Sequence, residues 1–416
     1  MISTDWRGSP ISGADADALE LYEQALAGFQ CWRGEAALHA GRARAQAPGF
    51  VMAYVLEASL LMCSREASAP AAAQALRRRA AALPANARER RHLAALGAAI
   101  GDDYPRAVAH YDALLAENPR DMLALLVAQS LDYLAGESER LAARVERLLP
   151  AWSPLLPGYH TVLAMHGFGL EERGEYAAAE AFARRALEMN PYDARAHHVL
   201  AHVFEMTGRP ERGLELMRER LPYWTNAGMV ASHCWWHVAL YLLGCGRTGE
   251  ALSVYDRALR AGATPAVSEL IDASALLWRL YLRGEDCGAR PAALARDWLP
   301  RIGDGFCTFN DLHAMMAFVA AGEWDAAGRL LHALTRRQLL PTHYGEMTRT
   351  VGLPACRALA AFGRGDCAGA IGLLGTLPAV AQRLGGSHAQ RDVIALTLLE
   401  AVERLRRRTR PLRPAA

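Results

Sequence analysis

Two consecutive stretches of this 416-residue chain repeat one pattern at a spacing of 34 residues, and that period restricts the fold more than any other feature. From His160 to Pro191 the sequence HTVLAMHGFGLEERGEYAAAEAFARRALEMNP carries Gly167, Leu170, Gly174, Tyr176, Ala179, Ala186 and Pro191. The next copy opens at Ala194, holds Ala201, Phe204, Gly208 and Pro210 at matching offsets, and closes near Leu221 and Pro222. Small residues let two helices approach closely, and the glycine breaks the chain into a short turn between them. Weaker copies flank this core: AAAQALRRRAAALP (71–84), YPRAVAHYDALLAENP (104–119), HVALYLLGCGRTGEALSVYDRAL (237–259), HAMMAFVAAGEWDAAGRLLHAL (313–334) and CRALAAFGRGDCAGAIGLL (356–374). No segment alternates apolar and polar residues over a strand length, so the expected class is all-α. A helix pair can bury its apolar face only against its neighbours, which predicts one continuous right-handed α-solenoid over residues 1–416. Pro and Gly clusters at 153–158, 261–265, 284–291 and 301–306 mark its irregular joints.

Composition removes several kinds of function. The 46 basic residues against 44 acidic ones argue against a surface built for nucleic acid or anionic membrane. All the basic residues are arginine, so Schiff-base chemistry, a pyridoxal phosphate linkage and a phosphate-loop lysine are excluded. The eight cysteines fall singly between Cys31 and Cys367 with no CxxC pair, which reads as buried free thiols. The opening MISTDWRGSP has neither the basic segment nor the apolar stretch of a secretory leader, and the expected location is the cytoplasm. Arg404, Arg406, Arg407, Arg408, Arg410 and Arg413 form a basic tail over 404–416, expected to be a frayed, solvated terminus.

The 34-residue offsets are those of the tetratricopeptide repeat, clearest over 160–222. That resemblance implies a concave surface lined by the first helix of each pair through its positions 2, 5, 9 and 12. In the second copy these are Arg195, His198, His202 and Glu205; in the first they are Thr161, Ala164, Phe168 and Glu171. Helical geometry agrees, because residues three and four apart share a face. In HCWWHVALYLLGCG the turn glycine Gly246 puts His233 and Trp236 on the same surface with His237 beside them, and His313 takes the repeat position of His237. Seven of the 14 histidines lie between His160 and His237, so chemistry, if present, concentrates here. Ser387 reads as a helix N-cap ahead of His388 and Arg391, and Asn310 with Asp311 as another cap. Tyr223, Trp224, Trp235, Trp236 and Phe309 read first as core aromatics and second as pocket walls.

The segments HHVLAHVFEMTGR (197–209), HCWWHVALYLLGCGR (233–247), DASALLWRL (272–280), IGDGFCTFNDLHAMMAF (302–318), VGLPACRALAAFGRGD (351–366) and GGSHAQRDV (385–393) resemble the tetratricopeptide repeat protein 38 family, with the family-like C-terminal part spanning 233–395. The resemblance implies an intracellular solenoid of degenerate repeats and transfers no catalytic residue. From the residues themselves, the expected function is an interior pocket that binds a small polar or anionic ligand, with or without turnover. His202 or His237 would act as base and Glu171 or Glu205 would orient it. Arg195, His198, His233, Trp236, Asp311, His313, His388 and Arg391 would contact the ligand, an arginine holding a carboxylate. This reading expects no cofactor; its metal-bearing variant would use His198, His202 and Glu205. A scaffold clasping a peptide or protein partner in an open groove is the alternative.

Overall fold

The computed structural model describes residues 3–225, 228–260, 262 and 265–409. The chain divides into two compact units, Met1–Glu269 and Leu270–Ala416. Each is a stack of helix pairs, and the only sheet among the described residues is a two-residue pairing of Ser3–Thr4 with Pro10–Ile11.

In the first unit each helix packs on the next, and first helices also pack on the first helices of neighbouring pairs: Tyr159–Glu172 on Ala194–Met206, and Ala194–Met206 on Met229–Gly244. The sequence explains this two-layer order. Tyr176–Met189 buries only the stripe Ala179, Ala183, Ala186 and Leu187, whereas Ala194–Met206 is buried from Ala194 through Phe204. A helix apolar on one stripe covers an outer face; one buried all round must lie between layers. The repeat glycines do what their spacing predicts. Gly174, Gly208 and Gly246 have φ of +79°, +63° and +72°, the left-handed backbone that closes a helix before a short turn. Gly169 serves contact instead, since a Cβ there would lie 2.4 Å from the backbone nitrogen of Ala142.

The second unit runs through Arg290–Trp298, Thr308–Ala321, Trp324–Arg337, Leu353–Gly363, Cys367–Leu374 and Val393–Thr409. Its turn glycines Gly322 and Gly365 repeat the pattern, at φ +73° and +79°. Two expectations are corrected here. The 404–409 stretch is the end of a helix, not a frayed tail: Arg404 and Arg407 pair with Glu400 and Glu403 one turn back, and Arg404 lies 4.4 Å over the Phe362 ring. Arg410 and Arg413 lie outside the described residues. Asn310 and Asp311 are not the cap either, because Thr308–Ala321 starts after Cys307 and both lie buried in its first turn. Ser387 does cap His388–Arg391, in a reciprocal box with Gln390. Among the described residues no single helix is long and apolar enough to cross a membrane.

Candidate metal centre

Four imidazoles meet inside the first unit. His198 and His202 project from one turn to the next of Ala194–Met206, and His233 and His237 do the same from Met229–Gly244. One ring nitrogen from each of the four lies within 4.8 Å of every other. The Nε2 atoms of His198 and His202 are 2.9 Å apart, and the ring centres of His202 and His237 are 4.6 Å apart. His198, His202 and His237 are buried, and His233 is half-buried. Packing of two first helices delivers this convergence: i, i+4 pairs stack on one face, and facing helices bring the stacks together.

Aromatic side chains surround the rings and hold them in place. Phe168 stacks on His198 and meets His202 edge-on, both at 5.6 Å between ring centres. Trp236 stacks on His233 at 5.1 Å. Trp32, at the end of the helix Ala16–Gln30, lies 5.4 Å edge-on to His198. Burial, then the neighbouring imidazoles and Arg195, pushes His198 well below the ordinary histidine range. Outside the ring of four, the fully buried Glu171 sets Oε2 3.4 Å from Nδ1 of His202. The carboxylate therefore stands on the Nδ1 side of His202, and Nε2, 2.9 Å from Nε2 of His198, is the nitrogen that faces the centre.

The other expected residues have different partners. Glu205 stays off the centre: the carboxylates grouped with His202 are Glu171 and Glu172 of the preceding helix, and the charge of Glu205 falls on Tyr241. Arg195 tethers the N-terminal helix, donating from Nε and Nη2 to the carbonyls of Gln30 and Phe29 at 2.8 and 3.2 Å, with its guanidinium 4.1 Å over the Trp32 ring. This clamp holds Trp32 at φ +56°, a backbone that aromatic residues avoid. Asp311, His313, His388 and Arg391 belong to the second unit. There Asp311 accepts from the Tyr344 hydroxyl at 2.5 Å, and burial pushes its carboxyl up to about 7. His313 donates from Nδ1 to the Phe309 carbonyl at 2.7 Å, Arg391 donates to the Gly386 carbonyl, and His388 acts on Asp392 by charge. Trp224 is core, bonded to the Met217 carbonyl and edge-on to Trp235, while Trp236 alone of that pair of neighbours touches the imidazoles.

Sequence reading missed Trp32 and a second cluster beside it. His160 Nδ1 lies 2.6 Å from Asp193 Oδ2, Asn190 Nδ2 lies 3.2 Å from His160 Nε2 and 3.4 Å from Cys31 Sγ, and Asp193 caps Ala194–Met206 through Oδ1. An Asp ahead of a periodic helix was a legible cap; a thiol brought from the first helix of the chain had no local signal.

No family model matches the chain. Among solved structures it is similar to the crystallised TPR domain of P58(IPK), at 15% identity and a TM-score of 0.22, with 94% of this chain and 98% of that chain covered. At that level of likeness the helices themselves carry the fold assignment: an all-α solenoid of tetratricopeptide-like pairs within each unit.

Proposed function

We propose that the first unit holds a divalent transition-metal ion between His198, His202, His233 and His237, with Glu171 orienting His202 from behind. The observation that carries this is the convergence of four ring nitrogens from two helices within 4.8 Å. An ion bound at roughly 2.0–2.1 Å to each nitrogen spaces them roughly 3.4 Å apart, so ring adjustments of about an ångström complete the shell. Imidazole is a ligand for zinc, copper, iron and nickel alike, and neutral imidazole is the form that binds. The metal-bearing variant of the sequence reading is thus retained with its ligands revised from Glu205 to His233 and His237.

Free acid–base catalysis by His202 or His237 fits the geometry less well. Both side chains are fully buried, and a general base must reach the proton it removes. As metal ligands they need no such access. An ion held by all four rings would have its shell complete and would pin the two helices together, its positive charge relieved in part by Glu171. Membership of the tetratricopeptide repeat protein 38 family belongs to the same reading, since the segments 197–209 and 233–247 that carry the resemblance supply all four imidazoles.

Elemental analysis of protein purified without a histidine tag and reconstituted with zinc, iron, copper or nickel tests this. The expected result is at least about one equivalent retained per chain after desalting, and about one equivalent fewer in His198→Ala/His202→Ala at unchanged helical circular dichroism. No retained metal in the unsubstituted chain would leave the groove-scaffold alternative in its place.

A further inference from the structure

We propose that Cys31, His160 and Asp193 form a second cation site in the first unit, of mixed thiolate, imidazole and carboxylate character suited to a zinc-class ion. The three side chains come from separate elements: the C-terminal end of Ala16–Gln30, the first turn of Tyr159–Glu172 and the N-cap of Ala194–Met206. One donor atom from each lies within 4.8 Å of the others, and Cys31 and Asp193 are 6% and 0% exposed. Cys31 Sγ and His160 Nε2 face one point, against which Asn190 Nδ2 lies at 3.4 and 3.2 Å, while Asp193 accepts at Nδ1 on the far side of the imidazole and would orient His160 as a ligand from behind.

The hydrogen bonds around the cluster present lone pairs to a common point. Asn190 Oδ1 accepts from the Tyr192 backbone N–H at 3.0 Å, which fixes the amide and directs Nδ2 at both Cys31 Sγ and His160 Nε2. With its proton on Nδ1 toward Asp193, His160 offers Nε2 as a donor pair, and Cys31 offers sulfur. A cation taking the place of the amide hydrogens would engage both.

A second cap in the same unit shows what such a carboxylate draws in. Asp121 caps Met122–Ala135 and accepts from an imidazole, His92 Nε2 at 2.9 Å, as Asp193 does from His160; there the cation is Arg88, whose Nε lies 2.6 Å from Oδ2. Asp193 bonds no guanidinium among the described residues; Arg195 acts on it by charge while donating from Nε and Nη2 to the Gln30 and Phe29 carbonyls. A divalent ion here balances one carboxylate and one thiolate, and the thiol proton passes to solvent as the S–H bond is replaced by a metal–sulfur bond. A nucleophilic role for the bare thiol is disfavoured: burial and Asp193 push it far above the ordinary thiol range, and it sits at the negative end of a helix.

Cobalt(II) titration of the chelator-stripped full chain separates this site from the four-histidine centre. Expected is a near-ultraviolet sulfur-to-cobalt charge-transfer band that Cys31→Ser abolishes and that His198→Ala/His202→Ala retains. Absence of the band in the unsubstituted chain, or its persistence in Cys31→Ser, overturns the proposal, whatever the visible bands of the four-nitrogen centre show. Should Cys31→Ser fail to fold, alkylation of Cys31 in the unsubstituted chain, mapped by mass spectrometry, decides: cobalt should slow it at least about tenfold, and equal rates with and without cobalt contradict the site.

Discussion

His237 and His313 hold the same position in the repeat, and the chain uses them in opposite ways. His237 lies with its ring centre 4.6 Å from His202 and 5.0 Å from His233, in a group of four. His313 turns Nδ1 to the carbonyl of Phe309, one turn back on its own helix, with the two rings 4.4 Å apart. Repeat position therefore fixes only the direction a side chain takes. A centre arises where the adjacent first helix carries donors at the same height, as Ala194–Met206 does for Met229–Gly244. Glu171 extends the rule by one more helix, reaching His202 from Tyr159–Glu172.

The largest effect that would break this contrast is on metal content. His198→Ala/His202→Ala should lower bound metal by about one equivalent, whereas His313→Ala should leave it unchanged; equal losses in both would erase the distinction. Next in size, Glu171→Gln should weaken metal affinity about 10–100-fold at unchanged saturating stoichiometry, as competition with a chromophoric chelator would read.

A further effect separates the units by pH. His197 is fully buried, donating to the Asp193 carbonyl through Nδ1 and accepting from Arg220 Nε, and burial pushes it down to about 4. A histidine depressed in the fold takes up its proton more readily when unfolded, so its contribution is present above the unfolded value of 6.5 and is lost as pH falls toward 4. The metal-free chain should lose up to about 3 kcal/mol at this one site by urea titration across that window, and His197→Gln should remove that part of the slope. Asp311 has the reverse sense. Raised from 3.8 to about 7, it holds its proton in the fold, so the second unit loses stability as pH rises through that range. Asp311→Asn should flatten that loss, an effect of similar size, read by hydrogen exchange of the Thr308–Ala321 amides.

Much of this was written in the sequence. The turn glycines Gly174, Gly208, Gly246, Gly322 and Gly365 all took the left-handed backbone their spacing implied, and the offsets that singled out His198, His202, Phe168 and Glu171 named side chains that do meet. Periodicity reports which face a residue occupies, and here the face was enough. It does not report what covers that face. Trp32 and Cys31 arrive from more than a hundred residues away, held by the hydrogen bonds of Arg195, a residue whose offset alone suggested a ligand clamp. Glu205 and Glu171 were equivalent by count, yet Glu205 lies on the same helix as His202 while Glu171 faces it across a helix interface. The first turn of Thr308–Ala321 shows the remaining failure: an Asn-Asp pair has cap chemistry, but the tyrosine of a later helix took Asp311.

Anomalous diffraction from crystals of the zinc-saturated chain, recorded on both sides of the zinc absorption edge, tests the central claim most directly. The account predicts a peak about 2 Å from one ring nitrogen of each of His198, His202, His233 and His237. Metal-saturated crystals with no anomalous peak among these four imidazoles would contradict it.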